Sequence, residues 1–213
     1  MFYTLANAAL RVLLPLLARW EIVGLENVPR QGPLIVIANH LSFLDPPVLG
    51  AALPVRIVFM SKVEAAQAPF LGLVVKWYGA FPVRRGEVDR QALRLSFQAL
   101  RAGQALGILP EGTRSRVGRM QRARPGVALI ALRAGAPILP VAITGTETAI
   151  PQWRRLRRPH IRLVVGKSFC LEPGPQRMTK ERLVELSDEA ARHIAELLPP
   201  EYQGYYGGQP LGG

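Results

Sequence analysis

Short apolar runs alternate along this chain with segments of helical spacing, and each run is closed by polar residues. Residues 33–39 read PLIVIAN and residues 105–110 read ALGILP. Runs this short and this apolar suit strands buried on both faces of a sheet. Further strands are expected at 21–25, 55–61, 79–83, 137–144 and 162–169, and helices at 45–53, 69–78, 89–102, 127–135 and 179–198. The last helix stops at Pro199-Pro200. Alternating strands and helices predict an α/β fold: a single domain with a mixed, largely parallel sheet flanked by helices. At 213 residues, with no repeat or linker, one domain is the simplest reading, spanning about 20–200 and followed by a Gly-rich, mobile tail over 201–213.

Composition narrows the partners. The chain has 27 Lys and Arg against 15 Asp and Glu, a formal charge of +12, and 23 of the 27 are Arg. Such a surplus, in the residue whose fork fits phosphate, points to an anionic membrane, nucleic acid or phosphorylated substrates. Nucleic acid is disfavoured. No helix-turn-helix, RNA-binding or zinc-finger signature is present, and the 15 aromatics do not interleave with the basic runs. One Cys excludes an internal disulfide, and the three His lack metal-ligand spacing, so no metal is expected.

The first 19 residues are mostly apolar. They lack the early basic region and the small-residue cleavage site of a signal peptide. Arg11 and Pro15 interrupt the run and argue against a membrane-spanning helix. A helix lying in the plane of a membrane surface is expected instead. Phe2, Leu10, Leu13, Leu17 and Trp20 would enter lipid, with Arg19 at headgroup level. The same segment would equally suit a helix packed on the domain's own core.

In α/β sheets, ligands gather beyond the carboxyl ends of the strands. Three polar clusters fall there: Asn39 to Asp45, Arg84-Arg85, and Glu111 to Ser115. His40 ends one apolar strand, and Asp45 opens the next helix as an expected N-cap, with Pro46-Pro47 behind it. The turn between them can fold the carboxylate back onto the imidazole. One ring nitrogen would then be fixed and the other left free to accept a proton. In Glu111-Gly112-Thr113-Arg114-Ser115, glycine allows close backbone approach, the hydroxyls and the Arg fork suit a phosphate monoester, and Glu111 would orient an Arg or accept a substrate hydroxyl. Arg85 and Lys62, each beyond a neighbouring strand, would add positive charge. Two further basic groups are Arg116, Arg119, Arg122 and Arg124, and then Arg154, Arg155, Arg157 and Arg158 beside Trp153. Either would suit membrane phosphates or those of a carrier.

Together these residues resemble the lysophospholipid acyltransferases, specifically the 1-acyl-sn-glycerol-3-phosphate acyltransferases, over about residues 20–170. Four blocks stand in family order: Asn39-His40-x4-Asp45; Gly79-Ala80-Phe81-Pro82-Val83-Arg84-Arg85; Leu109-Pro110-Glu111-Gly112-Thr113-Arg114-Ser115; and the apolar Ile138-Leu139-Pro140-Val141-Ala142-Ile143. Leu109 replaces the usual Phe of the third block, and where a Lys is common just before the Gly of the following segment this chain reads Arg124-Pro125-Gly126. The resemblance implies that His40, held by Asp45, deprotonates the free hydroxyl of lysophosphatidic acid for attack on the thioester of acyl-CoA or acyl-carrier protein. Lys62, Arg85, Glu111, Gly112, Thr113, Arg114 and Ser115 would hold the acceptor. No bound cofactor is implied, and the enzyme would sit on the cytoplasmic face of the cell membrane. Another lysolipid acceptor, such as lyso-ornithine lipid, is the alternative.

Overall fold

The computed structural model describes residues 2–69, 72–73, 75, 78–83, 89–175 and 177–208. The chain opens with α1 (Phe2–Leu17), then β1 (Arg19–Val23), β2 (Leu34–Ala38), α2 (Asp45–Ala52), β3 (Ile57–Lys62), α3 (Val63–Gln67) and β4 (Phe81–Val83). It continues with α4 (Arg90–Arg101), β5 (Ala105–Ile108), α5 (Gly126–Ala134), β6 (Ile138–Thr144), α6 (Thr146–Arg154), β7 (His160–Val165), α7 (Lys180–Ala195) and α8 (Pro200–Gln203). Among the described residues the strands form one seven-stranded sheet in the order β1-β7-β6-β2-β5-β3-β4. Only the β6–β7 pairing is antiparallel; all others are parallel. The expected mixed, largely parallel α/β sheet is thus observed.

β2 shows why its sequence is apolar at every position. It lies between β5 and β6, and all five of its residues are buried. Leu34, Val36 and Ala38 join a core shared with α1 and α2, and Ile35 and Ile37 join a second core shared with α5 and α7. Alternate side chains of one strand therefore serve opposite layers. Because β1 and β7 run together against the rest of the sheet, their starting residues lie at the edge where β2, β3, β5 and β6 end.

Several expectations change. β1 begins at Arg19, and the last strand is His160–Val165, with Phe169 joined to Ile138 by a lone bridge. α6 departs from expectation: Pro151 lies inside it, and only its short Ala149 and Trp153 face packs on the core. The expected helix over 69–78 lies partly outside the described residues, and Gly72, Leu73 and Val75 within it are helical. As far as residue 208 the expected tail is folded against the domain, with Pro200–Gln203 helical. Tyr206 is buried, its hydroxyl accepts from Ala123 N–H at 2.7 Å, and it donates to Asp188 at 2.7 Å. An aromatic ring with a satisfied hydroxyl provides enough contact to order a Gly-rich segment.

α1 also turns out differently phased. Its inner stripe is Tyr3, Asn7, Leu10 and Leu14, spaced one helical turn apart. Leu10 and Trp20 pack against the core rather than facing outward. Phe2, Leu5, Val12, Leu13, Leu16 and Leu17 form the exposed face. The polar inner residues fix this phase: Tyr3 Oη accepts from Ile57 N–H at 3.0 Å, and Tyr78 Oη donates to Asn7 at 2.6 Å. Arg11 reaches across to the carbonyls of Ala51 and Leu53 at the end of α2. Among the described residues, no helix is long and apolar enough to cross a membrane.

Candidate active site

The turn after β2 folds Asp45 back onto His40. His40 Nδ1 lies 2.8 Å from Asp45 Oδ2, and the same oxygen accepts from the backbone N–H groups of Leu41 at 2.7 Å and Ser42 at 2.8 Å. The other oxygen accepts from Thr146 Oγ1 at 2.6 Å. Asp45 is 0% exposed. It does not cap the helix as expected: Leu44 is the N-cap and Asp45 the first helical residue. Its charge is spent on these four donors instead. An acceptor so placed requires a proton on Nδ1, which leaves the lone pair on Nε2. No described residue hydrogen-bonds Nε2, and His40 is 7% exposed. A fixed tautomer, a buried counter-charge and a free nitrogen together equip an imidazole to accept a proton.

The loop after β5 holds this turn from behind. Glu111 is 2% exposed, and its two oxygens accept from His40 N–H at 2.7 Å and Gln121 N–H at 2.9 Å. Burial pushes its carboxyl from 4.5 up to about 7, against the pull of those two N–H groups. Ser115 N–H donates to the His40 carbonyl at 2.8 Å, while Ser115 Oγ accepts from Val117 and Arg119 N–H. Both backbone groups of His40 are thereby tied to the loop. Glu111 and Ser115 position His40 through its backbone; neither side chain reaches outward in this structure.

Gly112 adopts φ +69°, and a Cβ there would meet the Arg124 side chain at 2.7 Å. Arg124 Nε donates to the Glu111 carbonyl at 3.3 Å, closing the loop. Thr113 and Arg114 are exposed, and the Arg114 guanidinium lies 3.3 Å from the centre of the Phe43 ring. Phe43 belongs to the His40 turn and is 63% exposed. Two loops thus meet at an outward-facing cation–aromatic pair. Lys62 lies two strands from β2, and its ammonium pairs with Glu64 at 2.9 Å. Arg84 and Arg85 lie outside the described residues.

Sequence reasoning missed Thr146, and it placed Asn39 in the first polar cluster without giving it a role. Asn39 forms a paired amide contact with the Ile143 backbone, both bonds 2.8 Å, which fastens the end of β2 to β6. Thr146 follows Gly145 at the end of β6. The strand-end rule that singled out His40 and Glu111 applies equally there. Among the described residues, no three potential metal-ligating side chains converge.

The acyltransferase family profile matches residues 19–144, more than half of the chain and the whole span from β1 through β6. The chain belongs to the acyltransferase family. It is 26% identical over 196 residues to the 1-acyl-sn-glycerol-3-phosphate acyltransferase of Bacillus subtilis, covering 92% of this chain and 96% of that protein. It is 36% identical over 134 residues to the lyso-ornithine lipid O-acyltransferase of Pseudomonas aeruginosa, covering 62% of this chain and 50% of that protein. The crystal structure of the 1-acyl-sn-glycerophosphate acyltransferase PlsC of Thermotoga maritima superposes with a TM-score of 0.69 at 26% identity, covering 92% of this chain and 79% of that one. The chain thus spans nearly all of the Bacillus relative and half of the Pseudomonas one.

Proposed function

We propose that this acyltransferase esterifies the free hydroxyl of lysophosphatidic acid, giving phosphatidic acid, with His40 as general base. The observation that carries the reading is the buried Asp45 carboxylate on His40 Nδ1, with Nε2 free of any described partner and an exposed Arg114 stacked on Phe43 of the same turn. His40 Nε2 takes the hydroxyl proton as the alkoxide oxygen attacks the thioester carbonyl. The C–S bond then breaks, and the proton on Nε2 passes to the departing thiolate. An acyl-CoA or acyl-carrier-protein thioester would serve as donor, with no metal or bound cofactor in the step. Arg114 and Thr113 would bind the acceptor phosphate, and Gly112 would let the loop backbone approach it. The resemblance adds Arg85 and Lys62 to that cradle.

The exposed leucines of α1 would rest the enzyme on the cytoplasmic surface of a membrane as a peripheral or monotopic protein. Lyso-ornithine lipid remains the second acceptor reading, favoured by the Pseudomonas relative. Lyso-ornithine lipid would offer Arg114 a singly charged carboxylate beside an ammonium of its own, where lysophosphatidic acid offers a phosphate monoester of higher charge, so lysophosphatidic acid is preferred.

A product assay decides the matter. Purified protein is offered labelled acyl-CoA or acylated carrier protein with lysophosphatidic acid, lysophosphatidylcholine and lyso-ornithine lipid. Phosphatidic acid should dominate. Turnover of lyso-ornithine lipid alone would overturn the assignment.

A further inference from the structure

After α6 the chain turns back at Leu156, and the turn is built against local preference. Leu156 N–H donates to the Trp153 carbonyl and Arg157 N–H to the Gln152 carbonyl, both at 2.9 Å. This paired closure ends many helices on a left-handed residue, usually glycine. Leu156 takes that place with φ +55°, the only positive φ among the described non-glycine residues. A side chain there is sterically penalised. Leu156 is also 97% exposed, so no burial within the domain offsets the strain.

The surroundings of this leucine are strongly basic. Arg154, Arg155, Arg157 and Arg158 flank it, all exposed. A surface cleft of about 580 Å³ beside the turn is lined by Arg19, Gln152, Arg157, Arg158 and His160. His160 of this wall pairs with Glu21, which Arg162 also engages. The turn is also fixed to α1. Arg158 donates to the carbonyls of Pro15 and Ala18, and Trp153 Nε1 to that of Leu17 at 2.8 Å. Leu13, Leu16 and Leu17, on the same end of α1, are exposed. Thr144 registers with Arg162, and a Cβ on Gly145 would strike the His160 carbonyl. The turn therefore lies on the rim of the sheet that carries Thr146 and Asp45, about one short helix away.

We propose that this turn is a second lipid anchor. Leu156 enters the acyl region of an anionic phospholipid bilayer while the flanking arginines bind lipid phosphates. The charge selects an anionic partner. The hydrogen bonds that fasten this turn to the end of α1 bearing the exposed Leu13, Leu16 and Leu17 select a bilayer over an acidic protein. The proposal rests on the reading of a lipid acceptor drawn from a membrane, and it assigns where that membrane lies against the rim.

The test is flotation of the full chain with phosphatidylcholine vesicles, with and without phosphatidylglycerol. Leu156→Gly relieves the backbone and removes the anchor together. It should unfold at a higher temperature than the parent yet float less on both vesicles. Combined Arg154→Gln, Arg155→Gln and Arg157→Gln should weaken binding about tenfold or more on the phosphatidylglycerol vesicles only. Both variants should keep the parent rate on a water-soluble, short-chain lysophosphatidate. Unchanged flotation of both variants overturns the anchor. So does loss of carrier-protein binding by the arginine variant with vesicle binding intact. If the parent fails on every lysophosphatidate but the flotation pattern holds, the anchor stands and the acceptor assignment falls.

Discussion

The interior and the rim of the candidate site lie on one edge of the sheet and are built in opposite ways. Inside, Asp45 has four donors and Glu111 has two, and all of these groups but the half-buried Gln121 N–H are buried. On the rim, Thr113, Arg114 and Phe43 are exposed, and Arg114 touches only an aromatic face. Buried polar groups without partners cost free energy, so the interior must be complete before substrate arrives. The rim is hydrated and can wait for a ligand. Substitutions inside should therefore disturb chemistry and stability, and substitutions on the rim should disturb binding alone.

The largest effects belong to the His40–Asp45 pair. His40→Ala should lower acyl transfer about 10³-fold, as loss of a positioned base does. Asp45→Asn should match that loss, because an amide facing Nδ1 favours the wrong tautomer. It should also destabilise the fold, by about 3 kcal/mol and more than His40→Ala, which takes away one donor where an NH₂ group would confront the Leu41, Ser42 or Thr146 donors. Equal stability of the two variants, measured by urea unfolding, would break the contrast at its strongest point.

Glu111 comes next, and its signature is pH. Its carboxyl is pushed from 4.5 up to about 7 by burial, so the folded protein binds a proton that the unfolded chain releases between those values. The contribution is fully present below about pH 4.5 and is lost as pH rises through 7. Between pH 5 and 8 it should diminish by about 2–3 kcal/mol. Glu111→Gln removes this dependence, and other titrating groups cancel in the comparison. The stability gap between parent and variant should thus shrink across that range. A gap independent of pH would mean that the carboxylate is ionised at no cost.

How much of this was legible follows the same division. Strand-end reasoning located His40, Asp45 and the Glu111–Ser115 loop because apolar runs and polar clusters are local signals. It could not assign Glu111, whose partners are backbone N–H groups of His40 and Gln121, identical in every residue and silent in sequence. Thr146, 101 residues from Asp45, needed the β2–β6 pairing to be known. The helices teach a similar lesson. α1 and α7 are both 16 residues long. Charges on α7 mark its outer face and fix its phase, and Leu186, Ala190, Ala191 and Ile194 are buried as the pattern requires. α1 has almost no charge, so its phase is set by Tyr3 and Asn7 meeting distant groups, and Leu10 faces in rather than out. For the same reason the outer face of α1 is better tested by Leu13, Leu16 and Leu17 substitutions than by deleting residues 1–19. That deletion would strip Tyr3, Leu14 and Ala18 from the core.

On the rim the effects should be smaller and should leave stability alone. Arg114→Ala should raise KM for lysophosphatidic acid about tenfold, the scale of one charge-assisted contact to phosphate. KM for the acyl donor should move little. Equal shifts in both constants would remove the loop from the acceptor's phosphate.

The smallest effect sharpens the comparison most, because it separates the two regions within one turn. Phe43 lies between His40 and Asp45 in sequence, yet its ring faces outward under the Arg114 guanidinium. An exposed cation–aromatic contact contributes roughly 0.5–1 kcal/mol. Phe43→Leu keeps an apolar side chain and removes the aromatic face, so Arg114 would lose its orientation but not its charge. KM for lysophosphatidic acid should rise about two- to fivefold, with kcat and the urea midpoint unchanged. In an Arg114→Ala background the same substitution should do nothing further, since the ring would have no cation to hold. A fall in kcat would instead place Phe43 with the interior. The boundary between the two regions would then run outside this turn rather than through it.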